Sequence, residues 1–236
     1  MSAELKVEQV EKSWPQGEFK LGPVSLTVPS GKVVAFLGQN GAGKSTLFEL
    51  ITGNLDATAG AVTLAGSKLS PEAITLRRKI GYMPQKAVLP RWITGHEILT
   101  YGANVFELED AGRKIETAMT YWDCQDYRNK PLAACSHGMQ KRVALALAHL
   151  NDPPLVVLDE PYSGLDIYHI KALDDMIRKR RETGQTTILS THIAPYSARM
   201  CDVIYVVEQG QVRELQGWND LSYEDRIKHV EGIFFQ

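Results

Sequence analysis

Long hydrophobic runs, runs of like charge and closely spaced cysteines are all missing from this chain. The longest apolar stretches, residues 143–150 and 155–158, fall far short of the roughly 18 residues that a membrane span needs, so we expect no transmembrane helix. The formal net charge is −2 and no five consecutive residues carry the same charge, which argues against nucleic-acid binding. The cysteines, Cys124, Cys135 and Cys201, are too widely spaced for a structural zinc site or a disulfide framework.

The first residues do not have the pattern of a secretory signal. Residues 1–10 alternate charged and apolar side chains and contain no continuous apolar core, so we expect the chain to remain in the cytoplasm. With 236 residues, of which 44% are hydrophobic and 23% charged, the chain has enough material for one large folded domain or two closely joined lobes.

A phosphate-binding pattern is the strongest motif present. Residues 38–46 read G-Q-N-G-A-G-K-S-T, which matches G-x-x-x-x-G-K-[ST] in full and follows the apolar run 33–37. The glycines let backbone N–H groups close around phosphates, Lys44 adds a charged donor, and the Ser45 hydroxyl suits magnesium. A glycine-rich turn that binds nothing is the alternative, but the strand before the loop and the helical pattern after it favour a nucleotide site.

Strands and helices alternate along the chain, which predicts a largely parallel sheet with helices on both faces. The first third is rich in strands, and a helical region follows before the alternation resumes. The predicted strands are residues 5–10, 19–28, 31–37, 60–69 (a hairpin), 80–84, 155–158, 186–190 and 203–207, and the predicted helices lie within 93–128, 139–149, 167–182 and 195–200.

Two carboxylates end the apolar strand 155–158. In α/β sheets the ligand lies at the carboxyl ends of the strands, where Asp159 and Glu160 are expected. Asp159 suits magnesium coordination, and Glu160 beside a terminal phosphate suits activation of the attacking water. Both residue types also cap helices commonly, so a helix start is the alternative interpretation.

The order and spacing of these motifs resemble the nucleotide-binding subunits of ABC (ATP-binding cassette) transporters, over residues 5–215. The most specific element is C-S-H-G-M-Q-K-R at residues 135–142, which resembles the family signature L-S-G-G-Q followed by basic residues. Ser136 and Gly138 match that pattern, whereas Cys135, His137 and Met139 depart from it. The form S-x-G-M resembles exporters of the ABC-2 type. Histidine is a residue type that can act as a pH switch, but a tolerated surface histidine is the favoured interpretation of His137.

The resemblance implies roles for several isolated residues. In the family the signature contacts the γ-phosphate that the partner subunit binds, so Ser136 and Gly138 would make this contact here. Gln85 would contact magnesium and water, and His192 would contact the γ-phosphate. Without the resemblance, a glutamine after a proline indicates only a loop, and a histidine at a strand end is more often structural.

Two further positions, Asp166 and Trp14, also match residues of the family. Asp166, in S-G-L-D at residues 163–166, would lie at the dimer interface, or it would simply be a helix cap. Trp14 would stack on adenine, or it would pack near Pro15.

The implied site follows from these matches. Glu160, His192, Gln85 and Lys44 would be catalytic, and Ser45, Gln85 and Asp159 would bind Mg²⁺. ATP would be held by Trp14, Gly38, Gln39, Asn40, Gly41, Ala42, Gly43, Lys44, Ser45 and Thr46, with Ser136 and Gly138 acting in trans.

The implied fold is a P-loop NTPase of RecA-like α/β class, with a mostly parallel sheet, an antiparallel N-terminal β subdomain and an α-helical insertion. Residues 1–236 would form a single ABC ATPase domain. Residues 1–85 and 153–236 would be its catalytic core, and residues 86–152 its helical signature subdomain.

The resemblance further implies an ATPase that drives transport, with export favoured, through separate integral membrane subunits on the inner face of the cell membrane. A second copy or a sister ATPase would complete each site, and residues 86–101, which include Val88 and Trp92, would receive the membrane partner. The transported substrate is not encoded here, since the membrane subunits select it.

Three alternatives remain open. They are an ABC importer, a soluble ABC ATPase, and a GTPase or small-molecule kinase. A soluble ABC ATPase would need coiled-coil insertions or two cassettes, which are missing. The run N-K-P-L at residues 129–132 lacks the aspartate of the guanine-reading motif N-K-x-D.

Overall fold

Two sheets and the helices around them make up the fold in the computed structural model, which describes residues 4–15, 19–86 and 89–234. The strands are β1 (Leu5–Ser13), β2 (Lys20–Val28), β3 (Val33–Leu37), β4 (Ala59–Leu64), β5 (Ser67–Lys68), β6 (Ile80–Met83), β7 (Leu155–Leu158), β8 (Thr186–Ser190), β9 (Val203–Glu208) and β10 (Gln211–Glu214). The α-helices are α1 (Lys44–Ile51), α2 (Ile74–Arg77), α3 (Gly95–Val105), α4 (Ala111–Tyr121), α5 (His137–His149), α6 (Ile167–Glu182), α7 (Ala194–Met200) and α8 (Tyr223–Phe234).

The larger sheet has six strands in the order β10-β9-β3-β8-β7-β6. The strands β6, β7, β8, β3 and β9 run parallel, and β10 pairs antiparallel with β9 at one edge. Every residue of β3, β7 and β8 is buried, as expected for strands that are covered on both faces. Their carboxyl ends therefore meet along one edge of the sheet.

The smaller sheet, β2-β1-β4-β5, is antiparallel and comes from the N-terminal part of the chain. Alternate residues of β2 are buried, which is the pattern of a strand with one face toward a core. Helix α1 fills the space between the two sheets, where the Phe48 ring meets the Phe36 ring edge-on at 5.6 Å. The predicted α/β fold class with an antiparallel N-terminal part is confirmed.

Helices α3, α4 and α5 form the predicted helical region. Thr94 begins α3 with a capping box. Its hydroxyl accepts a hydrogen bond from the backbone N–H of Glu97, and the Glu97 carboxylate accepts one from the backbone N–H of Thr94. The sequence pattern placed helices within residues 93–128 without locating a break, and the structure divides this region between α3 and α4, where Glu107 and Asp110 both adopt φ of 53°. Left-handed residues cannot continue a right-handed helix.

Three elements were absent from the sequence prediction, namely α2, β10 and α8. Helix α8 packs against α7, although only Val230 of its residues is fully covered, so its periodic signal is weak. Trp218 anchors the approach to α8 by donating its indole N–H to the Cys201 carbonyl at 2.9 Å. Within the described residues no helix combines the length and apolar character needed to cross a bilayer.

His149, the last residue of α5, is expected to make stability depend on pH. Its Nδ1–H donates to the Leu145 carbonyl at 2.8 Å, and its Nε2 is buried without a hydrogen-bond partner. Burial, with the nearby Arg180 charge, lowers the pKa of His149 to about 3. The unfolded chain, with a histidine pKa of about 6.5, binds this proton more readily, so the free energy of unfolding falls as pH drops below 6.5.

We expect a loss of about 2 kcal/mol between pH 7 and pH 5 from this residue. Urea unfolding at the two pH values measures it, and His149→Gln should remove most of the difference because glutamine does not titrate. An unchanged difference in that variant would show that other groups carry the pH dependence.

Candidate active site

The phosphate-binding loop lies between β3 and α1, at the carboxyl edge of the larger sheet. Gly41 and Gly43 adopt φ of 83° and 110°, which side-chain-bearing residues rarely do. A Cβ at Gly43 would also lie 2.9 Å from the Phe19 ring. The two glycines are therefore required for the loop to adopt this turn.

Lys44 is the first residue of α1 and is only 7% exposed. Its Nζ donates to the carbonyls of Gly38 at 2.7 Å and Gln39 at 3.1 Å. Burial lowers the pKa of Lys44 below that of a free lysine, while the nearby Glu160 and Asp159 carboxylates oppose that shift. The loop thus holds an ammonium group at the N-terminal end of a helix, where a phosphate is favoured.

A cavity of about 440 Å³ joins the motifs that the sequence analysis treated separately. Its lining includes residues of the phosphate-binding loop and the start of α1, Gln85 after β6, and the carboxylates after β7. The loop residues that line it are Asn40, Gly41, Gly43, Lys44, Ser45 and Thr46. Gly38, Gln39 and Ala42 line a neighbouring groove, which is also bordered by Phe19.

Asp159 is buried and bonded through both carboxylate oxygens. Oδ2 accepts from the Ser45 hydroxyl at 2.6 Å, and Oδ1 accepts from the Ser190 hydroxyl at 2.5 Å. A hydroxyl and a carboxylate that face one another beside a phosphate loop are suitable oxygen ligands for Mg²⁺. Among the described residues no group of three or more His, Cys, Asp and Glu side chains could hold a metal.

Glu160 lies beside the cavity and is bonded to His192. Its Oε2 accepts from Nδ1 of His192 at 2.9 Å, and its carboxylate borders the cavity while the residue is only 5% exposed. The backbone of Glu160 adopts φ of 49°, and its N–H donates to the Ser190 hydroxyl at 2.8 Å. A carboxylate oriented by a second group beside a phosphate site can accept a proton from water.

The sequence analysis assigned no role in this site to Phe19 and Lys86, which line the cavity, or to Ser190, which lies buried behind it. Phe19, just before β2, borders the phosphate loop, and its ring lies 6.3 Å from that of Trp14. Ser190 bridges Asp159 and Glu160. Its position at the carboxyl end of β8, two residues before His192, was the available signal. Phe19 had none, because its proximity to Gly43 arises from packing between distant segments.

Outside the phosphate loop, five predicted positions do not line the phosphate cavity in this chain, namely Trp14, Ser136, Gly138, Asp166 and His192. Of these, His192 bonds to Glu160, which does line it. Trp14 is 39% exposed and lies beside Phe19. Ser136 caps α5 by accepting from the Met139 N–H at 3.2 Å. Ser136 thus caps a helix in this chain, whereas the roles of these residues in binding a nucleotide or a second chain stay predictions.

Asp166 caps α6 in the same way. Its carboxylate accepts from the backbone N–H groups of Tyr168 and His169, each at 3.0 Å. Ile167 and Tyr168, which follow it, are 72% and 81% exposed.

The chain is similar to known proteins over most of its length. The sequence model of the family described as ABC transporter matches residues 21–163. Nod factor export ATP-binding protein I of Sinorhizobium fredii is 34% identical over 212 residues, which cover 88% of this chain and 61% of that protein. The ABC transporter ATP-binding protein NatA of Bacillus subtilis is 30% identical over 223 residues, covering 89% of this chain and 90% of NatA. The chain thus spans about three fifths of the first relative and most of the second.

Solved structures give the same result. The ATP-binding subunit of an ABC transporter superimposes with a TM-score of 0.84 at 28% identity, covering 96% of this chain and 99% of that one. An ATP-binding cassette solved as a post-hydrolysis dimer with ADP and Pi superimposes with a TM-score of 0.82 at 26% identity, covering 89% and 97%. With the phosphate loop and the carboxylate pair in one cavity, these similarities establish that the chain belongs to the ABC transporter family, as one of its ATP-binding subunits.

Proposed function

We propose that this chain hydrolyses ATP to drive export of a substrate through separate membrane subunits. The observation that carries the proposal is the Glu160 carboxylate, bonded to His192 and bordering the same cavity as Lys44. Export is favoured because the name of one relative, Nod factor export ATP-binding protein I, refers to export, and that of another, the linearmycin resistance ATP-binding protein LnrL of Bacillus subtilis, refers to resistance to linearmycin.

Each side chain has a distinct task in this proposal. Lys44 and the loop N–H groups bind the phosphates, and Glu160 accepts a proton from the attacking water while His192 orients it. Ser45, Asp159 and Gln85 would hold Mg²⁺, which neutralises charge on the phosphates when bound. Trp14, beside Phe19, would stack on adenine.

Completion of the site in trans follows from the position of the signature. Ser136 and Gly138 lie at the N-terminal end of α5, whose dipole favours an anion, yet neither lines the cavity of its own chain. A second copy or a sister ATPase would bring these residues to the γ-phosphate, with Asp166 at the interface. The dimeric form of one similar structure supports this arrangement.

A membrane partner would dock on residues 86–101. In this segment Trp92 is 83% exposed and Tyr101 64%, whereas Ile98 packs into the core. Val88 of the same segment lies outside the described residues. Exposed aromatic side chains are typical of interfaces, so they support a peripheral position on the inner face of the cell membrane.

The proposed activity predicts that phosphate release from ATP by the purified chain rises faster than linearly with protein concentration, because two chains form each site. It should stop when EDTA removes Mg²⁺. A competition assay in which GTP displaces ATP far better than unlabelled ATP does would instead indicate a guanine-specific enzyme. Co-purification of a membrane protein would test the transport role, and import into vesicles rather than export would reverse the proposed direction.

A further inference from the structure

Lys141 in α5 is a buried cation with an unusual set of partners. The residue is 4% exposed, and its Nζ donates to the Glu160 carbonyl at 2.5 Å, the Ser163 carbonyl at 2.7 Å and the Ser163 hydroxyl at 2.7 Å. An ammonium group has three N–H donors, so these bonds use its full capacity. All of the acceptors belong to residues 160–163, the loop that follows β7.

That loop begins with the strained backbone of Glu160. Its left-handed conformation persists only if neighbouring groups hold it. The N–H of Glu160 donates to the Ser190 hydroxyl at 2.8 Å, and the Glu160 carbonyl also accepts from the Ser163 hydroxyl at 3.1 Å. The Glu160 backbone is therefore held from the core side by Ser190 and from the α5 side by Lys141.

The burial of this cation is costly. It lowers the pKa of Lys141 to about 8, against the opposing influence of the Glu160 and Asp159 carboxylates. Within the described residues Lys141 has no carboxylate at ion-pair distance, so its bonds are to carbonyls and a hydroxyl. A methionine would fill similar space without a buried charge. What the lysine adds is a polar connection from α5 to the backbone of the base.

A second contact joins the same two segments. The position that a Cβ would take at Gly164 lies 3.1 Å from the His137 ring, and that at Gly138 lies 3.1 Å from the Gly164 carbonyl. The start of α5 thus rests directly on the loop that Lys141 holds. A shift of α5 would be transmitted to the loop at both places.

We propose that Lys141 is a positioning residue, which couples the placement of the signature helix α5 to the orientation of the Glu160 carboxylate within one chain. The inference rests on the proposed ATPase function and adds a residue that acts through the backbone of the base. Lys141 would connect α5 to the loop that follows β7 within one chain. The helix that would contact the nucleotide of a partner chain would therefore also align Glu160 of its own chain.

The test compares Lys141→Met with Arg180→Met, which also removes a buried basic side chain. Arg180 is 3% exposed and donates to the Pro153 and Thr186 carbonyls, at the opposite ends of the parallel strands from the cavity. Lys141→Met should lower kcat for phosphate release by roughly tenfold to a hundredfold, because small misplacements of a catalytic group are costly. Its affinity for ATP should stay within about twofold, since the hydrogen bonds of Lys141 go to Glu160 and Ser163 and not to the P-loop. Arg180→Met should retain kcat per folded molecule.

A double-mutant cycle makes the assignment specific. Ser163→Ala removes one acceptor of the same connection, so it should lower kcat less than Lys141→Met, and the combined variant should be no slower than Lys141→Met alone. Lys141→Arg should recover part of the loss. Wild-type kcat in Lys141→Met, or fully additive effects with Ser163→Ala, would overturn the inference, whereas a wild-type chain that releases no phosphate would overturn the proposed function itself. If Lys141→Met does not fold, Ser163→Ala and Lys141→Arg still decide, because kcat equal to wild type in both would overturn the inference.

Discussion

Glu160→Gln should lower phosphate release about a thousandfold while ATP binding is retained, since general-base catalysis contributes roughly 10²–10⁴-fold. Glutamine has nearly the same shape as glutamate and can still bond to His192, but it cannot accept a proton from water. The P-loop donors and the Ser45–Asp159 pair are not altered. Steady-state phosphate release and equilibrium binding of ATP measure the two effects separately.

Blocked hydrolysis should also change the state of association. If closure around ATP joins two chains, Glu160→Gln should accumulate as a dimer with ATP and return to the monomer after ATP is removed, as sedimentation would show. Glu224→Gln, at an exposed position in α8, makes the same chemical change outside the site and should behave as wild type. Full hydrolysis by Glu160→Gln would refute the assigned base.

Much of the site can be predicted because its parts follow from local sequence and one topological rule. The phosphate loop is contiguous, and its glycines specify its backbone. Gln85, Asp159 and His192 come from segments far apart in sequence, but each closely follows one of the parallel strands β6, β7 and β8. The carboxyl ends of parallel strands meet at one edge, so the rule brings these residues together without knowledge of the strand order.

Other features depend on packing that no local pattern encodes. Phe19 borders the P-loop because the two sheets enclose α1, and Lys141 reaches Glu160 because α5 lies beside the loop after β7. The break between α3 and α4 was also not located by the sequence pattern, because aspartate adopts the left-handed conformation only occasionally and glutamate rarely, so Glu107 and Asp110 mark a turn less clearly than glycine would. Contacts such as those of Phe19 and Lys141 form between segments that are distant in sequence, whereas each motif lies within one segment.

Ser136→Arg should abolish turnover while the single chain still binds ATP. Ser136 is exposed and lies outside the cavity of its own chain, so its own P-loop is unaffected. At a dimer interface the arginine would place a large side chain where the γ-phosphate of the partner should approach the N-terminus of α5. The substitution also removes the cap of α5, which costs about 1 kcal/mol. Phosphate release and ATP binding at low protein concentration measure the two outcomes.

The loss of the α5 cap in Ser136→Arg needs a separate control variant. Ser222 accepts from the Asp225 N–H at 3.2 Å at the start of α8, as Ser136 does from Met139 at the start of α5. Ser222→Arg should therefore reproduce the loss of stability with normal turnover. Mixing the Ser136→Arg and Lys44→Ala variants also shows whether the signature acts on the partner's nucleotide or on that of its own chain. In a mixed dimer, one site combines the intact P-loop of the Ser136→Arg chain with the intact signature of the Lys44→Ala chain. Two inactive variants should then regain measurable phosphate release, whereas normal activity of Ser136→Arg alone would contradict completion of the site in trans.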